Sequence, residues 1–337
     1  MTPSFHPQLV NGPFQDPALY IDFLYQRRGM LFDLGDVTAL SPRFIQKISH
    51  MFISHTHIDH FIGLDHVLRL LLGRDHRLTI FGPPMIIRNV AGKLAAYTWN
   101  LVENYQNMFE IRVVEVHPDH LEQAMFRCRE VFRQEDTPET TPFSGLLMDE
   151  DAFRIHAVHL DHGTPCLAFS LEEKFHINIK KDRLDDCGLP TGPWLSALKA
   201  ALREGRPADY PLAVSKGKRP NGQEIHKTLG WFREQDVYSI TRGQKIVYVV
   251  DIGYTPHNLS LLVPFARDAD YLFCEAAFLE EDSGIAAQRH HLTASQAGLI
   301  ARQAGARRLI PFHFSPRYQD RASLIYSEAE HAFKGKQ

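Results

Sequence analysis

Residues 48–60 read ISHMFISHTHIDH. The first half is an apolar run suited to a buried strand. The second half places His55, His57, Asp59 and His60, all possible metal donors, directly after that run. A loop leaving a strand can turn imidazoles and a carboxylate toward one point. Such a His/Asp mixture suits zinc, and manganese or iron less specifically. The blander reading is a polar surface turn with chance histidines, and the donor spacing and apolar flanks weigh against it.

Working outward, 18–24 and 29–34 read as two adjacent strands, a hairpin. A short helix over 41–48 would open at Ser41 with Pro42 in its first position. Downstream, Leu64, Val67, Leu68, Leu71 and Leu72 recur at helical spacing. LTIFGPP reads as a strand and a turn, and a helix is expected over 84–101. Further strands are expected over 111–117, 125–132, 153–160 and 167–173, with a loop over 133–150. The rhythm breaks over 176–232, which reads as an insertion. It resumes with a strand at 244–251, a helix near 257–266 and a strand at 270–278. A helix over 291–305 capped by Thr293 follows, then a last strand over 307–315. Strands alternating with helices along the chain predict an α/β protein, a single domain over 1–337.

One short motif cannot complete two metal shells, so further donors must come from later strand ends. The candidates are His162 in LDHGTPCLAFS, Asp251 in YVVDIGY and His313 in IPFHFSPRY. Taken singly, a lone His there is more often structural and a lone Asp is often a helix cap. Taken with the first motif they form a set.

Composition sets bounds on the function. The chain has 337 residues, 44% hydrophobic and 23% charged, enough to bury a sizeable core. A formal net charge of -3 excludes a polycation, so any nucleic acid must be held by a local basic patch. Cys128, Cys166, Cys187 and Cys274 show no paired spacing and are expected as reduced thiols in a cytoplasmic protein. Neither a signal peptide nor a membrane-spanning run is visible.

Together these motifs resemble the metallo-β-lactamase superfamily, and within it the ribonuclease Z branch, the endonucleases that trim tRNA 3′ ends. FDLGD (32–36) is similar to the early Asp motif, HTHIDH to the signature loop and HGTPCLAFSLEEK to the third metal motif. VVDIGY is similar to the bridging-aspartate motif, and CEAAF, HLTASQAG and HFSPRY to the remaining ones. Cys274 and Ala277 stand where the family has His and Thr. The resemblance implies a four-layer αβ/βα sandwich. It implies one divalent ion on His55, His57 and His162, another on Asp59, His60 and His313, and Asp251 bridging. It assigns Asp33 a supporting role, Asp59 a role as proton acceptor, and His291 oriented by Glu275 a role in protonating the leaving oxygen. His290 stands beside His291, and alignment on the following Leu-Thr-Ala favours His291.

LPTGPWLSALK (189–199), with Gly192 and Pro193, resembles the Gly-Pro segment of the family's protruding tRNA-binding arm, which 176–232 would form. Lys180, Lys181, Lys199, Arg203, Arg206, Lys216, Lys218 and Arg219 make this stretch basic. From charge alone a solvated loop is an equal reading. The resemblance implies a precursor-tRNA substrate and a homodimer. The other readings are a hydrolase of a small phosphodiester or ester, and a non-catalytic RNA-binding protein that has lost its metals.

Overall fold

The computed structural model describes residues 4–24, 26–135, 139–215 and 224–335; Lys216, Lys218 and Arg219 lie outside them. The chain divides into two compact units. One comprises residues 5–148, 155–171 and 245–337, and the other residues 1–4, 149–154 and 172–244.

The larger unit is built on two sheets. The first runs in order β1 (Phe5–Leu9), β2 (Leu19–Phe23), β3 (Gly29–Phe32), β4 (Ile48–Phe52), β5 (His76–Gly82), β6 (Phe109–Val116), β7 (His120–Arg127) and β8 (Glu139–Pro142). Strands β3 to β6 are mutually parallel, and the flanking pairs are antiparallel. The second sheet uses β9 (Leu146–Asp149), β10 (Phe153–Asp161), β11 (Pro165–Glu173), β12 (Lys245–Val249), β13 (Tyr271–Glu275) and β14 (Leu309–Phe312). Its spatial order is β14-β13-β12-β11-β10-β9, with β12, β13 and β14 parallel.

The period of two along each strand explains the layering. Phe32 and Phe52 point to one face, where they meet Phe169 of β11 at 5.8 and 5.6 Å between ring centroids; Phe32 also lies 6.0 Å from Tyr248 of β12. Burying aromatic side chains of this size stabilises by about 1.5–3 kcal/mol each, so this face holds the two sheets together. Their neighbours Leu31, Met51 and Ile53 point the other way. There they pack with Leu64, Val67 and Leu71 of the helix Leu64–Leu71 and with Val90 and Leu94 of the helix Ile86–Ala95. Val247, Val249 and Leu272 likewise pack with Leu262, Ile300 and Ile325 of the helices Pro256–Phe265, Ala294–Gln303 and Ala322–Lys334. Helix, sheet, sheet, helix is the four-layer sandwich that the motifs imply.

Several boundaries differ from expectation. The strand expected over 125–132 begins at His120 and stops at Arg127, where the 3-10 turn Cys128–Glu130 takes over and left-handed Val131 and Phe132 (φ 51° and 55°) complete the bend. The expected loop 133–150 contains β8 and β9. The helix expected over 84–101 is shorter, Ile86–Ala95. β1 and the final helix were not foreseen. Thr293 does cap its helix, and its side chain and that of Gln296 form a reciprocal capping box.

Far from being irregular, the smaller unit is regular structure. It holds two antiparallel pairs, His176–Ile179 with Tyr238–Thr241 and Pro211–Ser215 with Glu224–Thr228. Its helices are Lys181–Asp186, Trp194–Arg203 and Leu229–Glu234. Trp194 stacks on Phe232 at 5.5 Å within an apolar cluster that includes Leu184, Leu198, Leu212 and Val237. Scattered Pro and Gly hid this order from a reading by periodicity. All four cysteines are free. Among the described residues, no helix is long and apolar enough to cross a membrane.

Candidate metal centre and active site

Every expected donor sits just after a strand of the larger unit or, for Asp59 and His60, in the one-turn helix Ile58–Phe61 that follows. His55, His57, Asp59 and His60 follow β4, and His162 follows β10. Asp251 follows β12, Glu275 ends β13, and His313 follows β14. Since β12, β13 and β14 are parallel, their C-terminal ends share one edge of the sheet. Asp33, Asp251 and His313 each adopt the left-handed region directly after a strand (φ 56°, 50° and 59°). Non-glycine residues in this region are uncommon and held there by their surroundings.

The side chains converge on Asp251. Its Oδ2 lies 3.5 Å from His55 Nε2, 3.3 Å from His60 Nε2 and 3.5 Å from His162 Nε2, while Oδ1 lies 3.0 Å from His313 Nδ1. Asp59 Oδ2 is 3.4 Å from His60 Nε2 and 3.3 Å from His313 Nε2. His55, His57, His162 and Asp251 form one compact donor group, and Asp59, His60 and His313 another.

The imidazoles are held from behind. Asp33 is fully buried. Its Oδ1 accepts from the Ser54 N–H at 2.6 Å. Its Oδ2 accepts from Ser54 Oγ at 2.8 Å, His60 Nδ1 at 2.8 Å and Tyr248 Oη at 2.9 Å. Ser54 Oγ, having donated to Asp33, accepts from His55 Nδ1 at 3.0 Å. His162 Nδ1 donates to the His290 carbonyl at 2.8 Å. With Nδ1 engaged in each case, the Nε2 lone pairs of His55, His60 and His162 face Asp251. The FDLGD turn is stapled to the same loop by Leu34 N–H to the His60 carbonyl and Gly63 N–H to the Leu34 carbonyl, both 2.9 Å. A Cβ on Gly63 would stand 2.1 Å from the Gly35 carbonyl oxygen, so only glycine fits this crossing.

These groups fit divalent metal. Among the described residues, and despite these close approaches, the buried His55 Nε2, His60 Nε2, His313 Nδ1 and Asp251 Oδ1 make no well-directed hydrogen bond. Such atoms cost about 1–3 kcal/mol each when left unsatisfied, and cations remove that cost. Burial and the neighbouring His60 push the His55 pKa down to about 2, which keeps it neutral and ready to donate a lone pair. Burial works to lower His313, but the Asp251 carboxylate raises it to about 10. Burial would raise Asp251, yet His313 and His60 hold it well below the usual carboxylate range.

Beside the donors, Glu275 is fully buried. Its Oε1 accepts from the Ile252 N–H at 2.6 Å and its Oε2 from His291 Nδ1 at 2.8 Å. The geometry therefore separates the adjacent histidines. His291 presents its ring to the site, whereas His290 lends its carbonyl to His162 and sets its ring edge-on against it. A cleft of about 260 Å³, lined by Phe14, Asp59, Phe278, Arg289, His291 and His313 among others, opens onto these groups. Sequence reasoning did not find Ser54, Tyr248 or Arg289. Tyr248 sits in an apolar strand, and nothing local pairs it with Asp33.

In the smaller unit, Gly192 and Pro193 precede the helix Trp194–Arg203. Lys199 and Arg203 do not stand out from the surface. Arg203 is 17% exposed and 3.9 Å from the buried Glu173, and Lys199 is half-buried near both.

Residues 210–314 match a family model described as the beta-lactamase superfamily domain. The chain is 30% identical to the ribonuclease Z of Deinococcus radiodurans over 317 residues, covering 93% of this chain and 90% of that protein. It is 28% identical to the ribonuclease Z of Lactiplantibacillus plantarum, covering 90% and 83%. Among solved structures, the metallo-beta-lactamase fold protein YhfI from Bacillus subtilis superposes with a TM-score of 0.55 at 16% identity, covering 98% of this chain and 94% of that one. The chain belongs to the ribonuclease Z family: it is a hydrolase of the metallo-β-lactamase fold, an endoribonuclease.

Proposed function

We propose that this enzyme is a zinc-dependent endoribonuclease that removes the 3′ trailer of precursor tRNA and leaves a 3′-hydroxyl on the tRNA. The observation that carries the reading is the convergence of His55, His57, Asp59, His60, His162, His313 and Asp251 beside His291, which Glu275 holds. His55, His57 and His162 would hold one ion and Asp59, His60 and His313 the other, with Asp251 between them. Zinc suits this donor set best. Two such ions, when bound, lower the pKa of a bound water and neutralise charge on a phosphodiester.

The chain's own groups supply the rest. Arg289, at the cleft, offers a guanidinium to a phosphate oxygen. Asp59 accepts a proton from the attacking water. As the water oxygen bonds to phosphorus and the P–O3′ bond breaks, His291 delivers a proton to the departing 3′ oxygen. Burial lowers the basicity of His291, but Glu275 raises it above the ordinary value, which favours the protonated ring that this step needs. The products are a 3′-hydroxyl and a 5′-phosphate.

In this reading the smaller unit contacts the RNA backbone with its exposed cations, among them Lys181, Arg183 and Arg206, while Lys199 and Arg203 support its interior. The enzyme acts in the cytoplasm as a homodimer. Purified protein with added zinc or manganese should cleave precursor tRNA at the 3′ side. His291→Ala should slow that cleavage by about 10²–10⁴-fold while keeping its metal content. A preparation carrying both ions that leaves precursor tRNA intact would overturn the assignment.

A further inference from the structure

The hairpin of β6 and β7 carries a second group of donors that the catalytic centre does not use. His117 and His120 face each other across the turn, with the His117 N–H bonded to the His120 carbonyl at 2.9 Å. Glu115 and Glu122 are paired two rungs further in, past Val116 and Leu121. Side chains two residues apart on a strand share a face, so two imidazoles and two carboxylates line one side of the tip. The His117 and His120 rings are stacked, with centroids 4.3 Å apart and planes 4° from parallel. His120 Nδ1 is engaged by Asp119 at 2.7 Å, and its Nε2 lies 3.3 Å from Glu122 Oε1. Glu115 Oε1 is 3.1 Å from His117 Nε2, and its Oε2 accepts from the Ile87 N–H.

Like charges opposite each other on a rung destabilise a hairpin. Glu115, Asp119 and Glu122 crowd three carboxylates around two imidazoles, and among the described residues the buried His117 Nε2, although 3.1 Å from Glu115 Oε1, makes no well-directed hydrogen bond. One donor atom from each of His117, His120 and Glu122 lies within 4.8 Å of the others. Two imidazoles and a carboxylate are a tridentate set for a borderline divalent ion, with Asp119 behind the His120 ring to orient it.

We propose that His117, His120 and Glu122 form an additional binding site for a divalent transition-metal ion, of the zinc, cobalt or nickel class, at the tip of this hairpin. The ion neutralises the opposed carboxylates and pins the turn.

The full chain, dialysed to equilibrium against a micromolar excess of free zinc and then analysed for metal, tests this. His120→Ala and the isosteric Glu122→Gln should each hold one ion fewer per chain than the unmodified protein, with cleavage unchanged. Asp251→Ala should retain the hairpin ion. Equal metal content in all three hairpin genotypes overturns the proposal. So does a lost ion accompanied by lost cleavage, which would place that ion in the catalytic centre. The count does not depend on the substrate, so it stands even if precursor tRNA is not cleaved.

Discussion

Asp33 accepts four hydrogen bonds, from Ser54, His60 and Tyr248, so its effect on the centre runs through His60 and Ser54. Asp33→Ala should lower metal affinity by about 10–100-fold, read as zinc retained at equilibrium. Retention equal to the unmodified protein would show that His60 needs no such support. Tyr248→Phe removes a single donor to the same carboxylate. It should cost about 0.5–1.5 kcal/mol in a denaturant titration while leaving the metal count intact. Asp251→Ala removes the group nearest all the imidazoles and should abolish turnover; unchanged turnover would refute its bridging place. At this level the candidate donors were legible, because each carries its own chemistry. Their partners were not, since Ser54, Tyr248 and the His290 carbonyl are ordinary groups until the fold brings them within reach.

The loops after β3 and β4 hold the centre by backbone contact, which makes their glycines the sensitive points. Gly63→Ala would drive a methyl into the Gly35 carbonyl. It should lose metal and activity although Gly63 donates no ligand, and a variant with normal zinc content would show that the turn can yield. The helix Ala294–Gln303 starts from a reciprocal cap, and Thr293 also donates to Glu280 at 2.5 Å. Thr293→Ala should therefore cost about 1 kcal/mol or more by thermal melting. Apolar periodicity revealed most strands and this helix. It failed at β8 and β9, which are short and largely exposed, and at the final helix, where apolar and polar residues are almost evenly mixed from 322 to 334.

Across the molecule, chelation should inactivate the enzyme and lower its melting temperature, because the unpartnered imidazole and carboxylate atoms around Asp251 would remain buried together. Added zinc should restore both; a melting curve indifferent to chelator would mean the site tolerates emptiness. Removing residues 176–232 should weaken precursor-tRNA binding far more than cleavage of a small chromogenic phosphodiester. Equal losses on both substrates would separate that segment from RNA recognition. Its basic composition was visible from the start, but its own apolar cluster around Trp194 and Phe232 was not.

By itself the chain order of residues determined an α/β protein with a His/Asp donor set, since strand period, helix period and a six-residue metal loop are local patterns. Only the tertiary structure decided which ring nitrogens face Asp251, why His291 rather than His290 points into the cleft, and that Arg203 turns toward Glu173. Those outcomes depend on register between strands far apart in the chain. A shift of one residue there would send each side chain to the opposite face.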